Sequence, residues 1–314
     1  MIGAKKVANV YSAFLDLDIN LGELADAVSS RLCTRYAREQ ISVKCTYPVF
    51  KGYASGHPPI LVKVGSHEEW RRTSHLLPEL GDCPLFARLL IEEPLDFHGH
   101  AVFVAEWKNV STVPPEDMNE RQVSNFVLGC ETLSRALQAV TSTADGDDES
   151  LFPGRLYDVV SGYAKRHPVA GRLLAGLLAI PEGERTFGDE ARSVVHGDFH
   201  AKNYGFDGDA FSAVFDLGQV SRGLACWDLA NALVERYSCL SLSAAARRRL
   251  NLVTRRVLSL MPWRKEDFVR AVNVLRLRYA AKRIGKHPNA AWVAVDVWRR
   301  DRRMQTIFEC VMGE

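Results

Sequence analysis

Residues 196–203 read His-Gly-Asp-Phe-His-Ala-Lys-Asn, and residues 216–218 read Asp-Leu-Gly. Asp198 is suited to orient an attacking hydroxyl and to accept its proton late in the reaction. Asn203 and Asp216 carry oxygen atoms that can hold a Mg²⁺ ion bridging the phosphates of a nucleotide. These side chains, at this spacing, predict an ATP-dependent phosphotransferase.

The segment between the two motifs predicts a β-hairpin. Tyr204-Gly205-Phe206 and Phe211–Phe215 are apolar runs, and Asp207-Gly208 between them is typical of a tight turn. Asp216 would then return beside Asn203, where both can contact one cation. An Asp-Gly turn or an Asp at a strand end is common on structural grounds alone. The combination with the loop before it favours the functional interpretation.

A third motif extends the pattern. Trp227-Asp228-Leu229-Ala230 places Asp228 12 residues after Asp216. Residues 193–231 therefore resemble the aminoglycoside phosphotransferase and choline kinase-like family, whose catalytic loop is His-Gly-Asp-x-His-x-x-Asn. That family belongs to the protein kinase-like fold.

The resemblance implies a role for each motif residue. It assigns catalysis to Asp198, His200 and Asn203. It assigns metal binding to Asn203 and Asp216. His196 and Asp228 are expected to be largely buried and to brace the loop from behind, because an unpaired buried carboxylate would be costly.

The resemblance also implies an α+β fold with two lobes. Residues 1–105 are expected to form a small β-sheet lobe with an N-terminal helix, and residues 106–314 a larger, mainly helical lobe. Apolar runs predict strands at 41–46, 49–53, 60–64, 85–91 and 101–105. Helical periodicity predicts a helix along Val123–Val140 and further helices over Leu156–Leu178, interrupted near Pro168.

Nucleotide contacts are expected in the first lobe. Lys63 lies in an apolar strand and is the candidate for binding the α- and β-phosphates, since burying a lysine without an anion is costly. An edge-strand lysine facing water is the alternative. Either Glu68 or Glu69 would pair with it, and the spacing favours Glu69. The resemblance makes Glu106-Trp107 the hinge whose backbone receives adenine.

The expected phosphate loop departs from the family pattern. The candidate turn reads Lys44-Cys45-Thr46-Tyr47-Pro48 and contains no glycine. Glycine normally permits the close approach of backbone to phosphate, and Pro48 removes an N–H donor.

Composition is that of an ordinary globular protein. The 314 residues are 47% hydrophobic and 25% charged, and no apolar run approaches the roughly 20 residues of a membrane span. Seven scattered cysteines without a Cys-x-x-Cys pair indicate reduced thiols and a cytoplasmic location. No nucleic-acid motif accompanies the basic residues.

Charge is uneven along the chain. Residues 244–314 contain 17 Lys or Arg and 6 Asp or Glu, a net +11, whereas the whole chain carries +2. A basic acceptor region favours an anionic or neutral acceptor over a polycationic one. Solvated arginine-rich helix faces are the alternative.

Only 11 residues separate Asp216 from Asp228, and no Ala-Pro-Glu follows. This leaves little platform for docking a peptide and favours a small acceptor with a hydroxyl, such as a sugar, an amino alcohol or an antibiotic. A protein kinase or effector, and a kinase-fold binding module without turnover, are the alternatives.

Overall fold

The computed structural model describes residues 21–42, 49–140, 153–185 and 193–312. The chain divides into two compact units, Met1–Asn109 and Val110–Glu314. We call them the N-terminal and the C-terminal unit. Within the described ranges, no helix has the length and apolar character needed to cross a membrane.

The N-terminal unit is built on one antiparallel sheet. Its elements, in chain order, are α1 (Leu21–Arg31), β1 (Ala37–Ser42), β2 (Val49–Tyr53), β3 (Ile60–Gly65), α2 (His67–Glu79), β4 (Leu95–Phe97) and β5 (His100–Glu106). The strand order is β1-β2-β3-β5-β4. Apolar side chains alternate with more exposed ones along β2 and β3, so one face of the sheet is buried. Leu24 and Val28 of α1 pack into the same core.

Two of the expected strands differ from the structure. The prediction of a strand at 85–91 is wrong, because this segment makes only an isolated bridge between Leu89 and Ala105. Pro94 lacks an N–H donor and follows this segment, and regular pairing with β5 begins only at Leu95. The first strand begins at Ala37 rather than at 41, since its backbone pairs with β2 from Ala37 onward despite its polar sequence. Residues 43–48, with the glycine-free turn, lie outside the described residues.

The C-terminal unit is mainly helical. Its helices are α3 (Glu120–Gln138), α4 (Pro153–Arg166), α5 (Pro168–Leu173), α6 (Ala175–Leu178), α7 (Trp227–Ser238), α8 (Ala244–Leu260), α9 (Lys265–Lys286), α10 (Trp292–Met304) and α11 (Thr306–Met312). Its strands are β6 (Ser193–Val195), β7 (Tyr204–Asp207), β8 (Ala210–Val214) and β9 (Ser221–Gly223). β6 pairs with β9, and β7 pairs with β8. The expected α3 helix and the interruption at Pro168 are confirmed.

An aromatic cluster joins the β7–β8 hairpin to α3. Its members are Phe126, Phe199, Tyr204, Phe206 and Phe211. Phe199 belongs to the predicted catalytic loop and is fully buried. Burial of these rings fixes the loop and the hairpin on one helix, because aromatic side chains contribute large apolar areas and prefer defined ring geometries.

Candidate active site

Strand β6 delivers the loop that begins at His196. Gly197 has a φ of +81°, and a Cβ atom there would lie 2.1 Å from the backbone oxygen of Gln219. Only glycine avoids both the conformational cost and this clash with backbone. The glycine of the His-Gly-Asp motif is therefore required by local geometry.

His196 connects the two arms of the site. Its ring is fully buried, and its Nδ1 accepts from the backbone N–H of Asp198 at 3.4 Å. The ring proton therefore lies on Nε2, which donates to the backbone oxygen of Phe215 at 2.7 Å. One side chain thus links the loop that carries Asp198 to the residue before Asp216.

Asp228 holds the same loop from the first turn of α7. Its Oδ2 accepts from the backbone N–H of His196 at 2.9 Å, and its Oδ1 accepts from that of Gly197 at 3.1 Å. The side chain is buried, and burial raises its pKa while the neighbouring His196 and the two N–H groups oppose that rise. The carboxylate satisfies two backbone donors that water cannot reach.

We expect Asp228→Ala to lower the free energy of unfolding by about 2–4 kcal/mol, because two buried donors lose their acceptor. A urea titration with an unchanged m value would measure it. Asp158→Ala, on the exposed face of α4, is the matched control and should stay within about 0.5 kcal/mol of the original chain. Equal midpoints for the two variants would contradict the bracing role.

Asp198 is half-buried and lies beside His200. The imidazole Nε2 of His200 is 3.5 Å from Oδ2 of Asp198, and its Nδ1 accepts from the backbone N–H of Lys202 at 3.3 Å. This second contact directs the ring proton of His200 toward Asp198. The contact with His200, aided by the charges of Arg278 and Lys282 and opposed by burial, lowers the pKa of Asp198 to about 2. The carboxylate is therefore ionised at neutral pH.

The hairpin brings Asn203 and Asp216 to the same end of β7 and β8. The backbone N–H of Phe215 donates to the backbone oxygen of Asn203 at 2.8 Å. Nδ2 of Asn203 donates to the backbone oxygen of Asp198 at 2.8 Å, which turns its Oδ1 away from that carbonyl. Asp216 has a φ of +63°, a left-handed conformation that costs energy in a residue with a Cβ and is concentrated at functional sites.

The oxygen atoms of Asn203 and Asp216 fit a Mg²⁺ ion. Mg²⁺ prefers hard oxygen ligands and usually takes one or two from the protein, with phosphates and water completing its shell. Among the described residues, no group of three or more His, Cys, Asp or Glu side chains could hold a metal ion by itself. An ion held by this pair would need further ligands, such as phosphate oxygens and water.

In the N-terminal unit, Lys63 on β3 forms an ion pair with Glu69. The backbone N–H of Glu69 donates to Oγ of Ser66, which caps the start of α2 and sets the direction of the helix. Glu68, the alternative partner, pairs with Arg72 one turn along the same helix. Both members of the Lys63–Glu69 pair are mostly shielded from solvent, with side-chain exposures of 22% and 17%.

Glu106 and Trp107 lie at the end of β5. The backbone N–H of Glu106 donates to the oxygen of Arg88 at 3.0 Å, and that of Trp107 donates to the oxygen of Pro59 at 3.3 Å. The side chain of Glu106 also pairs with Arg88. Both backbone donors of this pair thus have partners within the N-terminal unit.

The geometry agrees with what sequence comparison finds. The profile described as the phosphotransferase enzyme family matches residues 63–252, a span that contains Lys63, the catalytic-type loop and Asp228. The chain belongs to this phosphotransferase family. A search of curated protein sequences found no match to this chain.

Solved structures place the phosphotransferase in the protein kinase-like fold. It is similar to the ADP-bound aminoglycoside phosphotransferase APH(2'')-Ib, with a TM-score of 0.58, 12% identity, and 92% of this chain and 99% of that one covered. It is also similar to the amicoumacin kinase hAmiN in complex with AMP-PNP, Ca²⁺ and Ami, with a TM-score of 0.55, 11% identity and coverages of 91% and 96%.

A third similar structure is the macrolide 2'-phosphotransferase MphH from Brachybacterium faecium, solved as the apoenzyme. Its TM-score is 0.55 and its identity 12%, with 89% of this chain and 98% of that one covered. At these identities the likeness concerns the fold. The expected α+β, protein kinase-like fold, with a small antiparallel sheet region and a mainly helical region, is confirmed.

Several of the basic residues after position 244 make structural contacts in the phosphotransferase. Arginines that pair with carboxylates or donate to backbone oxygens are Arg247, Arg264, Arg276, Arg283, Arg300 and Arg303. Structural contacts therefore hold at least six of the 17 basic side chains of this segment. Arg278 differs, because its Nη1 donates to the backbone oxygen of Gly197 at 2.7 Å, next to Asp198.

Arg278 could not be identified from the sequence. It lies 81 positions from Gly197 and among many other arginines, so spacing carries no signal for the contact.

Proposed function

We propose that the phosphotransferase is an ATP-dependent kinase that transfers the γ-phosphate to a hydroxyl group of a small molecule, such as a sugar, an amino alcohol or an antibiotic. The observation that carries the proposal is the backbone bond between Asn203 and Phe215. It brings two oxygen ligands to one end of the hairpin while Asn203 also contacts the backbone of Asp198.

Each residue has a proposed task. Lys63, oriented by Glu69, binds the α- and β-phosphates, and Asn203 and Asp216 hold the Mg²⁺ that accompanies them. When bound, the ion neutralises charge on the phosphates as the transferring group moves. By resemblance, the backbone of Glu106 and Trp107 receives the adenine, and it would do so through its oxygens, because both N–H groups already have partners. The nucleotides in the relatives, ADP and AMP-PNP, and the Ca²⁺ ion support a nucleotide with a divalent metal.

Asp198 orients the acceptor hydroxyl. The hydroxyl oxygen forms a bond to the γ-phosphorus, the bond from that phosphorus to the β–γ bridging oxygen breaks, and ADP leaves with the electron pair. The hydroxyl proton passes to Asp198. A carboxylate with a pKa of about 2 cannot deprotonate a free alcohol, which is about as weak an acid as water with its pKa of about 15.7. Asp198 therefore accepts the proton only after bond formation has acidified the hydroxyl.

His200 and His196 position this carboxylate from two sides. His200 contacts it directly, and His196 bonds the backbone of Asp198 and of Phe215. Both histidines of the motif therefore act as positioning residues, and neither one transfers a proton in the proposed reaction.

The chain between Asp216 and α7 supports a small acceptor. It consists of a 3₁₀ turn at Leu217–Gln219 and the short strand β9, which pairs with β6. A protein kinase uses a longer segment at this place to dock its peptide substrate. We therefore propose a small-molecule substrate. The described cysteines are all free thiols, which fits a cytoplasmic enzyme.

Acceptor-dependent release of ADP tests the proposal. We expect ATP with Mg²⁺ to raise the melting temperature and a screen of hydroxylated metabolites and antibiotics to yield at least one compound that drives ADP release. The phosphorylated product is then identified by mass spectrometry. A nucleotide-dependent thermal shift without ADP release for any acceptor would instead indicate a binding module.

A further inference from the structure

Helix α9 passes beside the catalytic loop and presents two cations to it. Arg278 donates from Nη1 to the backbone oxygen of Gly197 at 2.7 Å, which fixes this part of the helix next to Asp198. Lys282 follows four residues later, on the same face and about 6 Å further along the axis. The charges of both residues act on the carboxylate of Asp198.

Lys282 has no ion-pair partner within the part of the chain that the structure describes, and its side chain is exposed. Its neighbour Arg283 behaves differently, because it lies about 100° further round the helix and pairs with Asp296 at 2.8 Å. Lys282 thus keeps three donors available about one helical turn beyond Arg278, whose side chain contacts the loop that carries Asp198.

We propose that Lys282, with Arg278 beside it, forms a subsite for an anionic group of the acceptor, a carboxylate or a phosphate ester on the molecule whose hydroxyl is phosphorylated. This inference rests on the kinase function proposed above. An anionic acceptor must approach the carboxylate of Asp198, and two cations on α9 offset that repulsion. The same pair disfavours a polycationic acceptor, which would meet like charges there.

Protection of Lys282 from acylation tests the subsite without knowledge of the acceptor. The protein is treated with an amine-acylating reagent in the presence of Mg²⁺ and AMP-PNP, with and without inorganic phosphate, and each lysine is followed by mass spectrometry. We expect phosphate to slow acylation of Lys282 several-fold. Lys265, an exposed lysine of the same helix about 25 Å away, is the internal control. Equal protection of both lysines, or none, would overturn the subsite.

Turnover rates measured with neutral, cationic and anionic acceptors show which class of acceptor the enzyme prefers. Glucose, glucosamine, gluconate and glucose 6-phosphate are compared as acceptors, together with any compound found in the screen and its carboxylate, phosphate and amine analogues. We expect an anionic member of each set to be used best. Lys282→Gln should raise the KM for that member about 10-fold, the value of one charge-assisted hydrogen bond. Lys265→Gln, with the same charge change, should leave that KM unchanged.

The outcomes distinguish the two proposals. A clear preference for the cationic members, with ADP release intact, would overturn the anionic subsite and leave the kinase function standing. Absence of AMP-PNP binding and of ADP release would refute the kinase function and, with it, the acceptor subsite, even if phosphate protected Lys282. The preference between gluconate and glucose 6-phosphate identifies the carboxylate or the phosphate ester as the anionic group.

Discussion

Replacing Asp198 by asparagine will lower turnover by at least about 100-fold, the lower end of the contribution of a positioned base. The amide has nearly the same shape, so contact with Nε2 of His200 can persist through its oxygen. It cannot accept the hydroxyl proton, and it carries no charge to orient the hydroxyl. The measurement is acceptor-dependent ADP release, with nucleotide affinity determined in parallel by calorimetry.

Two controls separate chemistry from structure. Melting temperature and ATP affinity should barely change in Asp198→Asn, because the carboxylate is half-exposed and does not belong to the core. Asp207→Asn, at the exposed end of strand β7, should retain full turnover. Near-normal turnover in a well-folded Asp198→Asn protein would show that the assignment of Asp198 is wrong.

The pH dependence follows from the same carboxylate. The contact with His200 lowers the pKa of Asp198 to about 2, below the ordinary value of an aspartate, so the carboxylate is ionised throughout the range from pH 5 to 7. Any loss of activity between pH 7 and 5 must therefore come from another group. A kcat profile with an acid limb near pH 4 that disappears in Asp198→Asn would contradict this expectation.

Removing the carboxylate of Asp216 will have an effect of similar size. Side chains that only orient metal ligands contribute about 10- to 100-fold, so we expect Asp216→Ala, which removes a direct ligand, to lower turnover by at least about 100-fold. Mg²⁺-dependent stabilisation by AMP-PNP should be largely lost in a thermal shift assay. Excess Mg²⁺ should restore part of the activity, because the remaining ligands still bind weakly.

Asp216→Asn and Asp207→Ala are the matched variants. Asparagine tolerates the left-handed backbone and keeps one oxygen ligand, so Asp216→Asn should lose less activity than Asp216→Ala. Asp207→Ala removes a carboxylate from the opposite end of the same hairpin and should have no effect. A complex with AMP-PNP in which Mg²⁺ lies more than roughly 5 Å from Asp216 would refute the ligand assignment.

The parts of the site that arise from short-range structure could be predicted from sequence. The hairpin follows from two apolar runs around a turn at Gly208, whose φ is +58°. The Lys63–Glu69 pair follows from spacing, because Ser66 caps α2 and places Glu69 one turn from the end of β3. Each of these features depends on residues within about a dozen positions, where spacing translates directly into geometry.

Features that depend on distant residues could not be predicted. Residues 37–40 are mostly polar and show no strand pattern. They form part of strand β1 because their backbone pairs with β2. The apolar residues of segment 85–91 predict a strand, but the segment makes only one isolated bridge, between Leu89 and Ala105. The contact between Arg278 and Gly197 joins residues that only the packing of α9 brings together.

Gly197 is a position that directed evolution of this enzyme is not expected to change. Every other amino acid at this position would bring a Cβ atom against the backbone of Gln219, which cannot move without shifting the strand beyond it. Saturation mutagenesis here should return almost exclusively the parental codon, whatever acceptor is used for selection. Lys282 is exposed and can be replaced without loss of packing, so variation in acceptor preference is expected to accumulate on the helix while Gly197 stays invariant.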